Sequence, residues 1–138
     1  MPHLISTALT GAALALLPIT PVHATTLPLT SPSAKLQLTL TSPEANTSST
    51  RKALLICDPG GGTHSGGGTH PRAKAACREL TARKGKIERD PASTMCTLIY
   101  APIVAKAEGH WKGRSVRFER EYPNDCAMRA HTGKVFLF

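Results

Sequence analysis

Lys35-Leu36-Gln37-Leu38-Thr39-Leu40-Thr41 alternates polar and apolar residues without a break. Successive side chains of an extended chain point to opposite sides, so the three leucines line one face and the polar residues the other. Such a half-buried strand needs neighbours on which to pair and a second layer to cover its leucines. Downstream, past a polar stretch at Ser42–Thr50, the run Arg51-Lys52-Ala53-Leu54-Leu55-Ile56-Cys57 predicts the strand that returns beside it. The stretch between contains Asn46-Thr47-Ser48, a glycosylation sequon that matters only in a host that glycosylates.

The covering layer is also legible. Arg72 to Lys84 predicts a helix: Pro71 sits at its start, Ala73, Ala76, Cys77 and Leu80 share one face, and Gly85 follows as a stop. Further strands are predicted at Met95–Val104, Ser115–Tyr122 and Lys134–Phe138, with the turn-rich Glu108–Gly113 between the first two. A short second helix starting after Asn124 carries Cys126. The order predicts an α+β fold, one antiparallel five-stranded sheet with two helices packed on it.

Upstream, Leu14-Ala15-Leu16-Leu17 lies in an uncharged apolar segment ending at Val22-His23-Ala24, with small residues where a signal peptidase reads. Pro18 and Pro21 break that segment well short of the ~20 apolar residues of a membrane span. Residues 1–24 are therefore expected to be a cleaved secretory signal, 25–34 a flexible Thr/Ser/Pro-rich tail, and 35–138 a single domain of a secreted, extracellular protein with no membrane contact.

The formal net charge is +8, but lysines and arginines are spread along the chain, as in Arg114-Ser115-Val116-Arg117-Phe118-Glu119-Arg120. That alternation is the solvated side of a strand, and few aromatic residues are available for base stacking, so no nucleic-acid partner is expected. The repeat Gly60-Gly61-Gly62-Thr63-His64, Gly66-Gly67-Gly68-Thr69-His70 lacks the Lys-Ser/Thr ending of a phosphate-binding loop. Its two histidines have no rigid third ligand, and the cysteines form no C-x-x-C pair, so neither metal nor cofactor is expected. Four cysteines in an exported chain instead predict two disulfides, for which three connectivities are possible. The helix stripe places Cys77 where it could meet Cys57 at the end of the second strand.

Met95-Cys96-Thr97-Leu98-Ile99-Tyr100 admits two readings. Its apolar, β-prone residues describe a buried strand. A cysteine three residues before Ile99, with Cys126 available to staple it, equally describes an extended segment offered to a protease. Pro102 favours an irregular piece, since proline is confined to edges and ends of strands.

Many short motifs bear on that choice. Cys57-Asp58-Pro59, Gly68-Thr69-His70-Pro71, Ala76-Cys77 with Leu80, Tyr100-Ala101-Pro102, Trp111-Lys112-Gly113, Phe118-Glu119-Arg120, Asn124-Asp125-Cys126-Ala127-Met128, Ala130-His131 and Val135-Phe136-Leu137-Phe138 resemble, in order and spacing, the Streptomyces subtilisin inhibitor family. The resemblance covers nearly all of Lys35 to Phe138. It implies a homodimeric, non-enzymatic inhibitor of subtilisin-like serine proteases; an apolar leucine at the specificity position also suits the broad pocket of chymotrypsin-like enzymes. By the same resemblance the bridges join Cys57 to Cys77 and Cys96 to Cys126. Leu98-Ile99 is then the reactive bond, Leu98 entering the protease's primary pocket, Met95, Cys96 and Thr97 lying before it, and Ile99 and Tyr100 on the leaving side.

Three residues or segments depart from the family pattern. The doubled glycine repeat is an insertion, Arg78 stands where a small or acidic residue is usual, and Thr97 replaces a frequent proline. Two other functions are consistent with the letters: inhibition of a secreted metalloprotease read through Ile99, and a secreted hydrolase using His110, His131, Asp125 or Glu119. No G-x-S-x-G or H-E-x-x-H motif accompanies the second.

Overall fold

The computed structural model describes residues 32–43, 48–58, 68–91 and 93–138. The expected signal, most of the tail, the sequon asparagine and most of the doubled glycine repeat lie outside these. Four strands and two helices follow in the order β1 (Ala34–Pro43), β2 (Ser48–Cys57), α1 (Ala73–Ala82), β3 (Ile103–Trp111), β4 (Arg114–Tyr122) and α2 (Asp125–Thr132). The sheet order is β2-β1-β3-β4, antiparallel throughout, with β1 paired on both sides.

The alternation in β1 sets the two faces. Leu36, Leu38 and Leu40 are buried while Lys35 and Gln37 are exposed. In register, Leu36 stands beside Leu55 of β2, and Leu38 beside Ala53 and Ala107. Both helices cover this face: Ala76, Cys77 and Leu80 of α1 and Met128 of α2 join one core with Ile87, Trp111, Tyr122, Val135 and Phe136. Fully burying a leucine-sized side chain stabilises a fold by about 1.5–3 kcal/mol, so these residues carry most of the driving force.

Among the described residues the sheet has four strands, not five, because Lys134–Phe138 does not pair. Val135 and Phe136 are adjacent and both buried, whereas neighbours in a strand point to opposite faces. Side chains satisfy this segment's carbonyls instead: His70 Nε2 lies 3.0 Å from Val135 O, and Arg51 Nη1 donates to Phe138 O at 2.6 Å. The strand expected at Met95–Val104 begins only at Ile103 and runs on to Trp111, through residues that read as a turn. The turn itself is reduced to Lys112-Gly113, both at positive φ (46° and 77°), the two-residue hairpin geometry whose twist matches the flanking strands.

α1 ends at Ala82, two residues short of the expected Lys84. Lys84 takes the left-handed conformation (φ 54°), its N–H bonding Thr81 O, and Gly85 N–H bonds Leu80 O. Gly85 is itself at φ 86°, and a Cβ there would overlap the Trp111 indole. Gly85→Ala should therefore cost roughly 1–3 kcal/mol, from backbone strain and displacement of a core tryptophan. Urea unfolding would read this as a lower midpoint, and an unchanged midpoint would contradict it.

His70 fastens the C-terminal segment to the core. Its Nδ1 accepts from Arg72 N–H at 3.0 Å, so Nε2 carries the proton and donates to Val135 O, while the ring meets Phe138 edge-on. Desolvation by burial lowers its pKa from the usual 6.5, opposed in part by the bond to Val135. The unfolded chain then binds the proton more readily than the folded one. Stability should be complete above pH 6.5 and fall as pH drops below it. Thermal midpoints at pH 7.5 and 5.5 should differ, and the difference should shrink in His70→Gln; an equal difference in both proteins would contradict this role.

Candidate functional site

The segment before β3 is irregular, and it carries the largest apolar exposure among the described residues. Met95 and Leu98 are fully exposed, at 97% and 101%, and Ile99 and Tyr100 are mostly so. Exposed large apolar side chains clustered in one short stretch mark an interaction surface in a folded protein. The buried-strand reading of Met95–Tyr100 is therefore replaced by an outward-facing loop.

Its backbone is held at several points. Two disulfides are present, Cys57–Cys77 and Cys96–Cys126. The first joins the end of β2 to the buried face of α1; the second anchors the loop to the first turn of α2. Closing loops of these lengths stabilises a fold by about 3–4 kcal/mol each in the chain-entropy account. After the exposed residues, Ala101 N–H bonds Pro123 O at 2.8 Å. Pro123 and Asn124 thus form a shelf behind the loop.

Asn124 makes the central contact. Its Nδ2 donates to Thr97 O at 3.1 Å and to Ile99 O at 3.0 Å, the carbonyls on either side of Leu98. Its Oδ1 accepts from Ala127 N–H at 2.9 Å and caps α2. Both N–H groups and the carbonyl oxygen are engaged, and the side chain is buried. One residue therefore starts the helix and braces the loop, leaving Leu98 the unsupported crest between two fixed carbonyls.

The sequence identifies Asn124 only as a helix start. Nothing in its local letters says that the amide also reaches across to residues more than 20 positions upstream; the available signal is its place directly before Asp125-Cys126, where the bridge brings α2 to the loop.

The four residues considered for hydrolysis are not assembled. His110 and Glu119 lie on the outer face of the sheet, where Glu119 is 3.8 Å from Lys106. Asp125 pairs with Arg129 at 2.7 Å, and His131 lies beside the Tyr122 ring. Among the described residues no group of three His, Cys, Asp or Glu side chains could hold a metal ion, and no helix is long and apolar enough to cross a membrane.

Comparison with known proteins gives a family. A family described as "Subtilisin inhibitor-like" matches residues 32–124. Subtilisin inhibitor-like protein 5 of Streptomyces fradiae is 41% identical over 90 residues, 64% of this chain and 79% of the relative. Subtilisin inhibitor-like protein 2 of Streptomyces rochei is 40% identical over 96 residues, 68% of this chain and 80% of the relative. Among solved structures, Streptomyces caespitosus sermetstatin in complex with Bacillus licheniformis subtilisin is 26% identical with a TM-score of 0.57, covering 76% of this chain and 98% of that one.

Proposed function

Because this chain belongs to the subtilisin inhibitor-like family, whose members are protease inhibitors and not enzymes, we propose that it blocks subtilisin-like serine proteases through the loop Met95–Tyr100, with Leu98-Ile99 as the reactive bond. The observation that carries this reading is the Asn124 amide, which holds the carbonyls of Thr97 and Ile99 on both sides of an exposed leucine.

A serine protease attacks the carbonyl of the residue seated in its primary pocket, and its oxyanion hole stabilises the tetrahedral adduct. An ordinary substrate is lost because the leaving half diffuses away. Here the acyl side is tied by Cys96–Cys126 and by Thr97 O, and the leaving side by Ile99 O and by Ala101 N–H on Pro123. Both new ends stay beside each other, so religation competes with hydrolysis. Because the loop is already tied at several points, docking costs little conformational entropy. Protease–inhibitor interfaces of this kind bury about 1,600 Å² in total, with the energy concentrated on a few central anchors, here Leu98. Met95 fills a second apolar subsite.

Family kinship also implies secretion and a homodimer, and the apolar segment ending at Ala24 marks residues 1–24 as the signal removed. The disulfides fit an oxidising compartment. N-terminal sequencing of the exported protein should begin at Thr25, and sedimentation should give twice the mass of one chain.

Titration of subtilisin with the mature protein tests the reading. Activity should fall linearly to zero at one inhibitor site per enzyme, while the protein alone hydrolyses no panel substrate. Loss of a metalloprotease's activity with subtilisin untouched would contradict it and point to Ile99 as the specificity residue instead.

A further inference from the structure

β4 is an edge strand, and among the described residues nothing pairs with its outer side. Beside it lies a cleft of about 540 Å³, between β4 and the segment that follows α1. Trp111 and Val116 contribute apolar walls, and Lys84, Lys86, Arg114 and Arg117 contribute cations. None of these four cations is in an ion pair among the described residues, whereas Glu88, the carboxylate lining the cleft, is already held by Arg120 and by the Tyr122 hydroxyl at 2.8 Å. Lys112 adds a further cation, its Nζ 5.6 Å from the Trp111 ring centroid. Further along the sheet, Lys106 of β3 is neutralised by Glu108 at 3.2 Å and by Glu119. Four unpaired cations thus line one cleft at one end of the β4 edge.

We infer that this edge and cleft form a docking site for an acidic peptide segment of a partner protein, added as a fifth strand alongside β4. Three features recognise such a ligand together. Unpaired backbone groups of β4 bond its main chain, as in strand addition to other exposed edges. The apolar walls take alternate side chains of the added strand, which point to one face. Arg117, on the opposite face of β4 from Trp111 and Val116, takes the carboxylates that alternate with those side chains, in two-pronged fashion, and Arg114, Lys84 and Lys86 add positive charge at the mouth of the cleft. A polyanion without a peptide backbone would use only the last feature, so the cleft and the edge favour a peptide.

The location separates this site from the inhibitory loop. Arg114 pairs with Trp111 at the hairpin end of the sheet, and Tyr122 with Ile103 at the loop end. The intervening strand is roughly 26 Å long at about 3.3 Å per residue. The site therefore stays open when a protease occupies Leu98, and one molecule can be tethered to an acidic partner while it inhibits.

A fluorescein-labelled heptapeptide alternating glutamate with leucine, titrated with the full chain at low salt, tests this. Saturable binding is expected, weakened at least about tenfold by the double change Arg114→Glu and Arg117→Glu, and absent for the lysine–leucine counterpart. The same glutamate peptide methylated on alternate backbone nitrogens should lose binding to the unaltered protein, a measurement that does not depend on the variant folding. Equal binding of the methylated peptide, equal binding of a linear polyphosphate of the same charge, or no saturable binding at all would overturn the proposal.

Discussion

Replacing Leu98 by lysine should give a protein that stops trypsin-like enzymes. Leu98 stands fully clear of the fold, so the exchange disturbs no internal packing and the variant should unfold at the same denaturant midpoint as the parent. What changes is the fit to the target. A trypsin-like pocket carries a buried carboxylate that leucine leaves without a partner and lysine pairs. Fully desolvated charge pairs at interfaces are worth about 2–5 kcal/mol when one partner is removed, so trypsin inhibition should strengthen by roughly two to three orders of magnitude. Subtilisin inhibition should weaken less, since a lysine stem still buries its methylenes while its ammonium reaches for water. Inhibition constants of parent and variant against both enzymes measure this. An unchanged preference would mean that another residue reads the pocket.

A second large effect is expected at Asn124. Asn124→Asp keeps an oxygen for Ala127 N–H, and a carboxylate at a helix N-terminus is favoured by the helix dipole, so the cap of α2 should be kept. The two donors to Thr97 O and Ile99 O are lost, and the carboxylate repels both carbonyls. At about 0.5–1.5 kcal/mol per bond, the loop should lose roughly ten- to a hundredfold of its preference for the intact, bound geometry. Inhibition should become temporary: initial binding, then cleavage and recovery of protease activity over the assay. Asn124→Ala should show the same recovery together with a lower thermal midpoint, because it also removes the cap. Permanent inhibition by the aspartate variant would show that the disulfide alone holds the loop.

How much could be read without coordinates varied with how local the physics was. The leucines of β1 and the stripe of α1 were legible because period 2 and period 3.6 are set by neighbouring residues alone. The helix start at Asn124 was legible for the same reason. Lys134–Phe138 misled, because β-prone letters are buried there as a packed end stitched by Arg51 and His70, and those contacts come from 65 to 87 residues upstream. Met95–Tyr100 showed the same ambiguity in the other direction. Its letters suit a core strand, and its exposure follows from long-range ties to Cys126, Pro123 and Asn124. The family motifs pointed to the loop, but the second role of Asn124 required the geometry.

Those ties give the most direct test of the account. The mature protein is incubated with a trace of subtilisin, the mixture is briefly brought to low pH to release the complex, and the products are sequenced before and after reduction. A single new amino terminus is expected at Ile99, with the two pieces travelling together until the Cys96–Cys126 bridge is reduced. A new terminus elsewhere, or progressive loss of the chain with no discrete cut beside Leu98, would contradict it.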